Sequence, residues 1–313
     1  MVEDGTIGRL AILRTTCIFL SPIMKKGEGG EKRTMSERQR IKEEIVRIFR
    51  KKLKGRKALN EEGSNRSTSR TVHMGSEGHE LERAFGIRAN SSRNADYKGF
   101  ELKKEVQKMT LGDWTASEYI YSKVAPILQR VNGEKHLYME KNEFIRTFGY
   151  PNDSKDGRFS WSGRATPRYN KWNDCGQTLT VCPMSGNIYV VYSHQRDKRV
   201  TSIAVPDVFK SGYIVLVVWY GDRLRENVDM KWNQRGYFQV HRGSDGTYSH
   251  VSFGRPFGYE EVMRGIRRGW VIFESGMVEN NNRSRNCSKF RVFKRQSDAM
   301  SPFLLPFYDG TYE

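Results

Sequence analysis

The sequence predicts an α/β protein: a mixed sheet flanked by helices, with a second, β-rich lobe forming a cleft wide enough for a polyanion. Three observations lead there. Helical periodicity falls in short segments, most of them in the first half of the chain, the clearest between Ser36 and Lys54. From Gln177 onward, alternating and continuous apolar runs of strand length take over. The formal net charge is +18 in a chain with 12% aromatic residues, the balance of a folded nucleic-acid binder and not of a disordered basic tail.

A length of 313 residues accommodates one large domain or two moderate ones, and 37% hydrophobic content is enough for a core. The excess of Lys and Arg implies DNA, RNA or an anionic surface as partner. Cys17, Cys175, Cys182 and Cys287 include no C-x-x-C pair, so free thiols in a reducing, cytoplasmic compartment are expected. The apolar run Leu10–Leu20 is interrupted by Arg14 and lacks a basic leader, so neither a membrane span nor a signal peptide is predicted. Residues 1–34 read as a disordered or mis-annotated extension, with Met24 or Met35 as the alternative start.

Ser36 can cap a helix, with Gln39 as its capping-box partner. Ile41, Ile45, Ile48, Phe49 and Leu53 form its apolar stripe; Arg38, Lys42, Arg47, Lys51 and Lys54 form a basic outer face for solvent or phosphates. Residues 55–75, rich in Ser, Asn and Arg, read as a loop. The stretch Gly78–Ile87 then supplies a short helix through Leu81, Ala84 and Phe85, closed by Gly86.

The chemistry is concentrated in Asn94–Lys104. From Phe100 to Val106 apolar and charged residues alternate, so a strand would turn Glu101 and Lys103 to one face. Gly99 permits a tight bend that can return Asp96 to the side of Glu101. Two carboxylates and an ammonium at a strand end suit a magnesium-dependent phosphodiesterase, because Mg²⁺ takes hard oxygen ligands and acidifies water while a lysine stabilises phosphoryl charge. The bland alternative is an amphipathic strand with a solvated charged face.

Gly78-His-Glu-Leu-Glu-Arg-Ala-Phe-Gly-Ile87, Asn90-Ser-Ser92 and the spacing Asp96-x4-Glu101-Leu-Lys103 resemble the catalytic region of the MvaI/BcnI group of type II restriction endonucleases, relatives of the nicking enzyme MutH with the PD-(D/E)xK nuclease fold. Phe273-Glu-Ser-Gly-Met277 and Asn282–Arg291 are similar to that group's closing segment, a Gly-Met turn followed by a basic strand. The resemblance implies that Asp96 and Glu101 ligate Mg²⁺, that Lys103 positions the water, and that Glu82 assists as a helical carboxylate. It also implies double-stranded DNA as substrate, a GC-rich CCNGG-like site, a monomer, and a cognate DNA methyltransferase as companion. A MutH-like nicking enzyme and a catalytically inert DNA-binding protein are the competing expectations.

Further along, Ala116–Gln129 reads as a helix weakened by Pro126, and Asn142–Phe148 as a shorter one. Residues 150–174 interleave Trp161, Tyr169 and Trp172 with arginines in a loop or irregular strands. Thr178–Val181 and Ile188–Tyr192 predict a hairpin, Ile214–Tyr220 a doubly buried strand, and Tyr237–His241 with Tyr248–Phe253 another hairpin. A helix over Tyr259–Ile266 and strands over Val271–Glu274 and Ser288–Lys294 follow. Arg283, Arg285, Lys289, Arg291 and His241 are the candidate DNA contacts, for phosphates or base edges. The division expected is a catalytic lobe over residues 35–175 and a DNA-recognition lobe over 176–313.

Overall fold

The strand carrying Glu101 and Lys103 pairs in parallel with a segment far along the chain: Glu101 faces Tyr237, Leu102 faces Phe238 and Lys103 faces Gln239. The computed structural model describes residues 35–58, 76–88, 94–199, 205–280, 286, 288–294 and 300–313. The expectations for residues 1–34, and for Arg283 and Arg285, lie outside them. Residues 37–313 form one compact unit. Among the described residues, no helix is long and apolar enough to cross a membrane.

In chain order the elements are α1 (Glu37–Lys52), α2 (Ser76–Ala84), β1 (Glu101–Lys104), β2 (Lys108–Asp113), β3 (Glu118–Tyr119), α3 (Pro126–Asn132), α4 (Lys141–Phe148), β4 (Tyr150–Asn152), β5 (Arg158–Ser162), β6 (Cys175–Val181) and β7 (Ile188–Asp197). There follow β8 (Ile214–Trp219), α5 (Gly221–Trp232), β9 (Tyr237–Arg242), β10 (Tyr248–Gly254), α6 (Tyr259–Arg267), β11 (Val271–Val278), β12 (Ser288–Phe293) and β13 (Tyr308–Tyr312). The three sheets run in the orders β1-β9-β10-β13, β2-β12-β11-β5-β4 and β3-β8-β7-β6. Each draws strands from both sides of residue 175, so a boundary placed there cuts through all three.

Two main hydrophobic cores form among the described residues, beside a small cluster of Ala125, Leu128 and Val218. The smaller joins Ile41, Ile45 and Phe49 of α1, Leu81 and Phe85 at α2, Phe100 and Leu102 at β1, and Phe238, Val240, Val251 and Phe253 of the β9–β10 hairpin. The larger contains the other two sheets, and Tyr237 belongs to it. Tyr237 and Phe238 are neighbours in β9 yet serve different cores, because successive strand side chains point to opposite faces. The first sheet is thus covered by α1 and α2 on the Leu102 face. Its other face carries Glu101, Lys103, Gln239 and His241.

Several local expectations change. Lys42, assigned to the basic outer face of α1, is buried: its ammonium bonds the carboxylate and carbonyl of Asp309 at 3.1 Å each and lies 4.9 Å from the centre of the Phe253 ring. The helix expected over Ala116–Gln129 is a short strand followed by α3. Pro126 opens α3, where its missing N–H costs nothing, and the buried Glu118 carboxylate accepts from the N–H groups of Ile127 and Leu128. Gly276 and Met277 do not turn the chain; they continue β11 and pair with Ser162 and Trp161 of β5. Trp161 is buried and donates to Gln177 Oε1 at 2.7 Å. Cys175 and Cys182 are free thiols.

Candidate active site

A two-residue turn builds the site. Tyr97 and Phe100 exchange backbone hydrogen bonds at 2.8 Å, and Lys98 and Gly99 between them have φ of 45° and 83°. Two successive positive φ values make this the tight hairpin turn whose twist matches the strands, with glycine supplying the second position. The turn returns Asp96 alongside β1, where its Oδ2 accepts the N–H of Leu102 at 3.0 Å. Burial, and next the negative charge of Glu101, push the Asp96 carboxyl up to about 6; Lys231 and Lys103 pull the other way.

Glu101 is almost fully buried and has two cationic partners on one oxygen. Lys103 Nζ and Lys231 Nζ each lie 2.7 Å from its Oε1. The other oxygen, Oε2, is buried without a hydrogen-bond partner. A buried carboxylate oxygen is seldom left unpaired, because desolvation without compensation is costly. Lys103 also lies 5.4 Å from the centre of the Trp232 ring. Trp232 is itself fixed by donation to the Leu111 carbonyl at 2.9 Å and by stacking on Phe257.

These groups fit a small, hard divalent ion. Asp96 and Glu101 converge, and Glu101 offers an unused oxygen. Mg²⁺ is commonly held by one or two carboxylates and its own waters, so the pair suffices for it. Among the described residues no cluster of three or more His, Cys, Asp or Glu side chains is arranged to hold a metal.

Glu82 is the helical carboxylate expected to assist. Glu82 lies at the surface, 3.1 Å from His79 Nδ1 one turn earlier. Glu77 takes the inward position on α2, buried between Lys104 Nζ at 3.0 Å and Arg242 Nε at 2.8 Å. Five residues along a helix turn a side chain well away from the first, so Glu77 and Glu82 cannot share a face.

Comparison with known proteins gives the family. The LlaMI restriction endonuclease family matches residues 56–299. The type II restriction enzyme ScrFI of Lactococcus lactis subsp. cremoris is 36% identical over 255 residues, covering 77% of this chain and 91% of the relative. The chain belongs to the LlaMI restriction endonuclease family. Its activity is that of a type II restriction endonuclease, a site-specific nuclease acting on DNA. The solved complex of restriction endonuclease MvaI with its cognate DNA substrate has the same overall fold, with a TM-score of 0.52 at 12% identity, covering 89% of this chain and 99% of that one.

The other site residues of this LlaMI-family chain separate into two places. His241 lies on the Glu101 face of the first sheet, its Nε2 2.6 Å from Ser252 Oγ, its Nδ1 3.2 Å from Glu105, and its ring stacked on His250 at 4.4 Å. Hydrogen bonding from His241, reinforced by Lys294, draws the Glu105 carboxyl down to about 2. Lys289 and Arg291 share the outer face of β12, where Arg291 lies 3.2 Å from Glu274 and Lys108 3.0 Å from the same carboxylate. Lys231 was absent from the sequence-based set because α5 was not predicted. The signal was present: Leu224, Val228 and Trp232 recur every fourth residue and are all buried.

Proposed function

We propose that this endonuclease hydrolyses a DNA phosphodiester by Mg²⁺-dependent, in-line attack of water at Asp96, Glu101 and Lys103, within a PD-(D/E)xK-type site. The observation that carries this reading is that Asp96, Glu101 and Lys103 lie close enough to act on one another, with one oxygen of Glu101 buried and unpaired. Mg²⁺ held by Asp96 and Glu101 supplies charge for the scissile phosphate and acidifies a water. Asp96 must shed its proton to serve as a ligand. Lys103 orients the attacking water or neutralises charge gathering on the phosphoryl oxygens. Glu82 is assigned an assisting role on the strength of its motif position. Lys289, Arg291, His241, Arg283 and Arg285 are assigned to DNA, with phosphate contact as the default for each.

The resemblance to the MvaI/BcnI group supports a short GC-rich site of the CCNGG type, cleavage by a monomer and a companion methyltransferase, and the cysteine usage supports a cytoplasmic setting. We assign catalysis to the part of the molecule organised by the smaller core and recognition to the part organised by the larger. Digestion of a sequenced plasmid, with Mg²⁺ and with chelator, followed by mapping of the ends, tests the reading. Double-strand ends at CCNGG sites in Mg²⁺ alone are expected. Nicks confined to one strand would favour the MutH-like alternative, and intact plasmid with retained binding would favour an inert DNA-binding protein.

A further inference from the structure

Lys231 reaches Glu101 from a different element than Lys103 does. It sits in the last turn of α5, and the connection from α5 to β9 is tied to the catalytic turn: Arg235 N–H donates to the Gly99 carbonyl at 2.9 Å, and Glu101 N–H donates to that of Gly236 at 2.9 Å. Beside it, Trp232 is wedged in the larger core. The Lys231 backbone is therefore held against the site, while its ammonium rides on a long flexible stem. The side chain is 19% exposed, so it is not sealed in.

Both ammonium groups crowd one oxygen of Glu101 and together balance Glu101 and Asp96 when both carboxylates are ionised, so a divalent ion brings charge the site does not need. A divalent ion at Glu101 would stand within a few ångströms of both ammonium groups, where like charges repel strongly in partly desolvated surroundings. Lys103 has a second hold, the face of the Trp232 ring. For Lys231, Glu101 is the ion-pair partner the structure shows.

We propose that Lys231 is a built-in counter-ion that occupies Glu101 in the metal-free enzyme, gives way to the divalent ion, and passes its charge to a DNA phosphate. Metal loading is thereby coupled to DNA: without a phosphate to receive the released ammonium, the ion must displace Lys231 into water. The inference rests on the assignment of Asp96 and Glu101 as the metal pair.

Calorimetric titration of Mg²⁺ into the DNA-free protein provides a readout independent of cleavage. Lys231→Met keeps the apolar stem and removes the charge; it should bind Mg²⁺ about tenfold or more tightly than the parent. Lys231→Arg should bind as the parent does. By reciprocity, the factor by which Ca²⁺ strengthens binding of a duplex carrying the mapped cut site should shrink in Lys231→Met. If Lys231→Met does not fold, as judged by melting, Lys231→Gln carries the same expectation. Unchanged or weaker Mg²⁺ binding by the folded neutral variant overturns the proposal. Glu101→Gln separates the two levels: if it binds Mg²⁺ like the parent, the metal assignment itself is wrong. If it loses Mg²⁺ and Lys231→Met gains nothing, only the counter-ion role falls.

Discussion

Asp96 Oδ2 accepts the backbone N–H of Leu102 at 3.0 Å, which locks the carboxylate of the turn against the strand bearing Glu101 and Lys103. Asn in place of Asp96 can keep this bond through its side-chain oxygen while losing the charge. Cleavage by Asp96→Asn should fall by at least about 10³-fold, as expected when a charged group at the reacting centre is removed; cleavage within tenfold of the parent would remove Asp96 from the reaction.

Stability should move the other way. The folded carboxyl of Asp96 is raised from 3.8 to about 6 by burial and by Glu101, so the native state binds the proton more tightly than the unfolded chain does. That contribution is fully present below about pH 3.8 and is lost as pH rises through about 6. In chelator at pH 8, Asp96→Asn should exceed the parent by up to about 3 kcal/mol, with the difference vanishing near pH 4. Melting curves at both values check this; a less stable variant at pH 8 would contradict the burial argument.

Gly99 has φ of 83°, and a Cβ there would lie 2.9 Å from the Arg235 guanidinium. Gly99→Ala should cost about 1–2 kcal/mol, while Gly99→Asn should cost less because asparagine tolerates this backbone region. Cleavage should drop alongside in Gly99→Ala, since the turn sets the position of Asp96. Equal stability of the alanine and glycine proteins in urea melts would show that the turn relaxes elsewhere.

The two glutamates of α2 are separable. Glu77→Ala strips the buried partner from Lys104 and Arg242 and should destabilise by about 1–3 kcal/mol, the partial exposure of both cations softening the loss. Glu82→Ala breaks only the surface contact with His79 and should stay within about 0.5 kcal/mol. If Glu82 assists the reaction, its variant loses cleavage without losing stability; full cleavage by Glu82→Ala would end that assignment.

Salt should weaken DNA binding with a log–log slope of roughly −0.9 per phosphate neutralised. Lys289→Ala should make that slope shallower by about one phosphate's share if Lys289 contacts the backbone. Fluorescence anisotropy over a salt series measures it, and an identical slope would place Lys289 off the DNA.

Local patterns in the chain carried a good part of this protein. Alternation around Glu101 and Lys103, glycine at position 99, the stripe of α1 and the hairpins at β6–β7 and β9–β10 are all written in residues near one another, where strand and helix periods act directly. Tertiary structure alone decided the rest. Parallel pairing of β1 with β9 depends on which distant apolar faces close into one core, and no local period encodes that choice. The same closure turned Glu77 inward and Glu82 outward, and buried Lys42 under Asp309. It also delivered Lys231 to Glu101 from a helix whose every-fourth-residue stripe was legible but whose destination was not. Such contacts are set by the burial of the whole sheet, after loops of great length have closed.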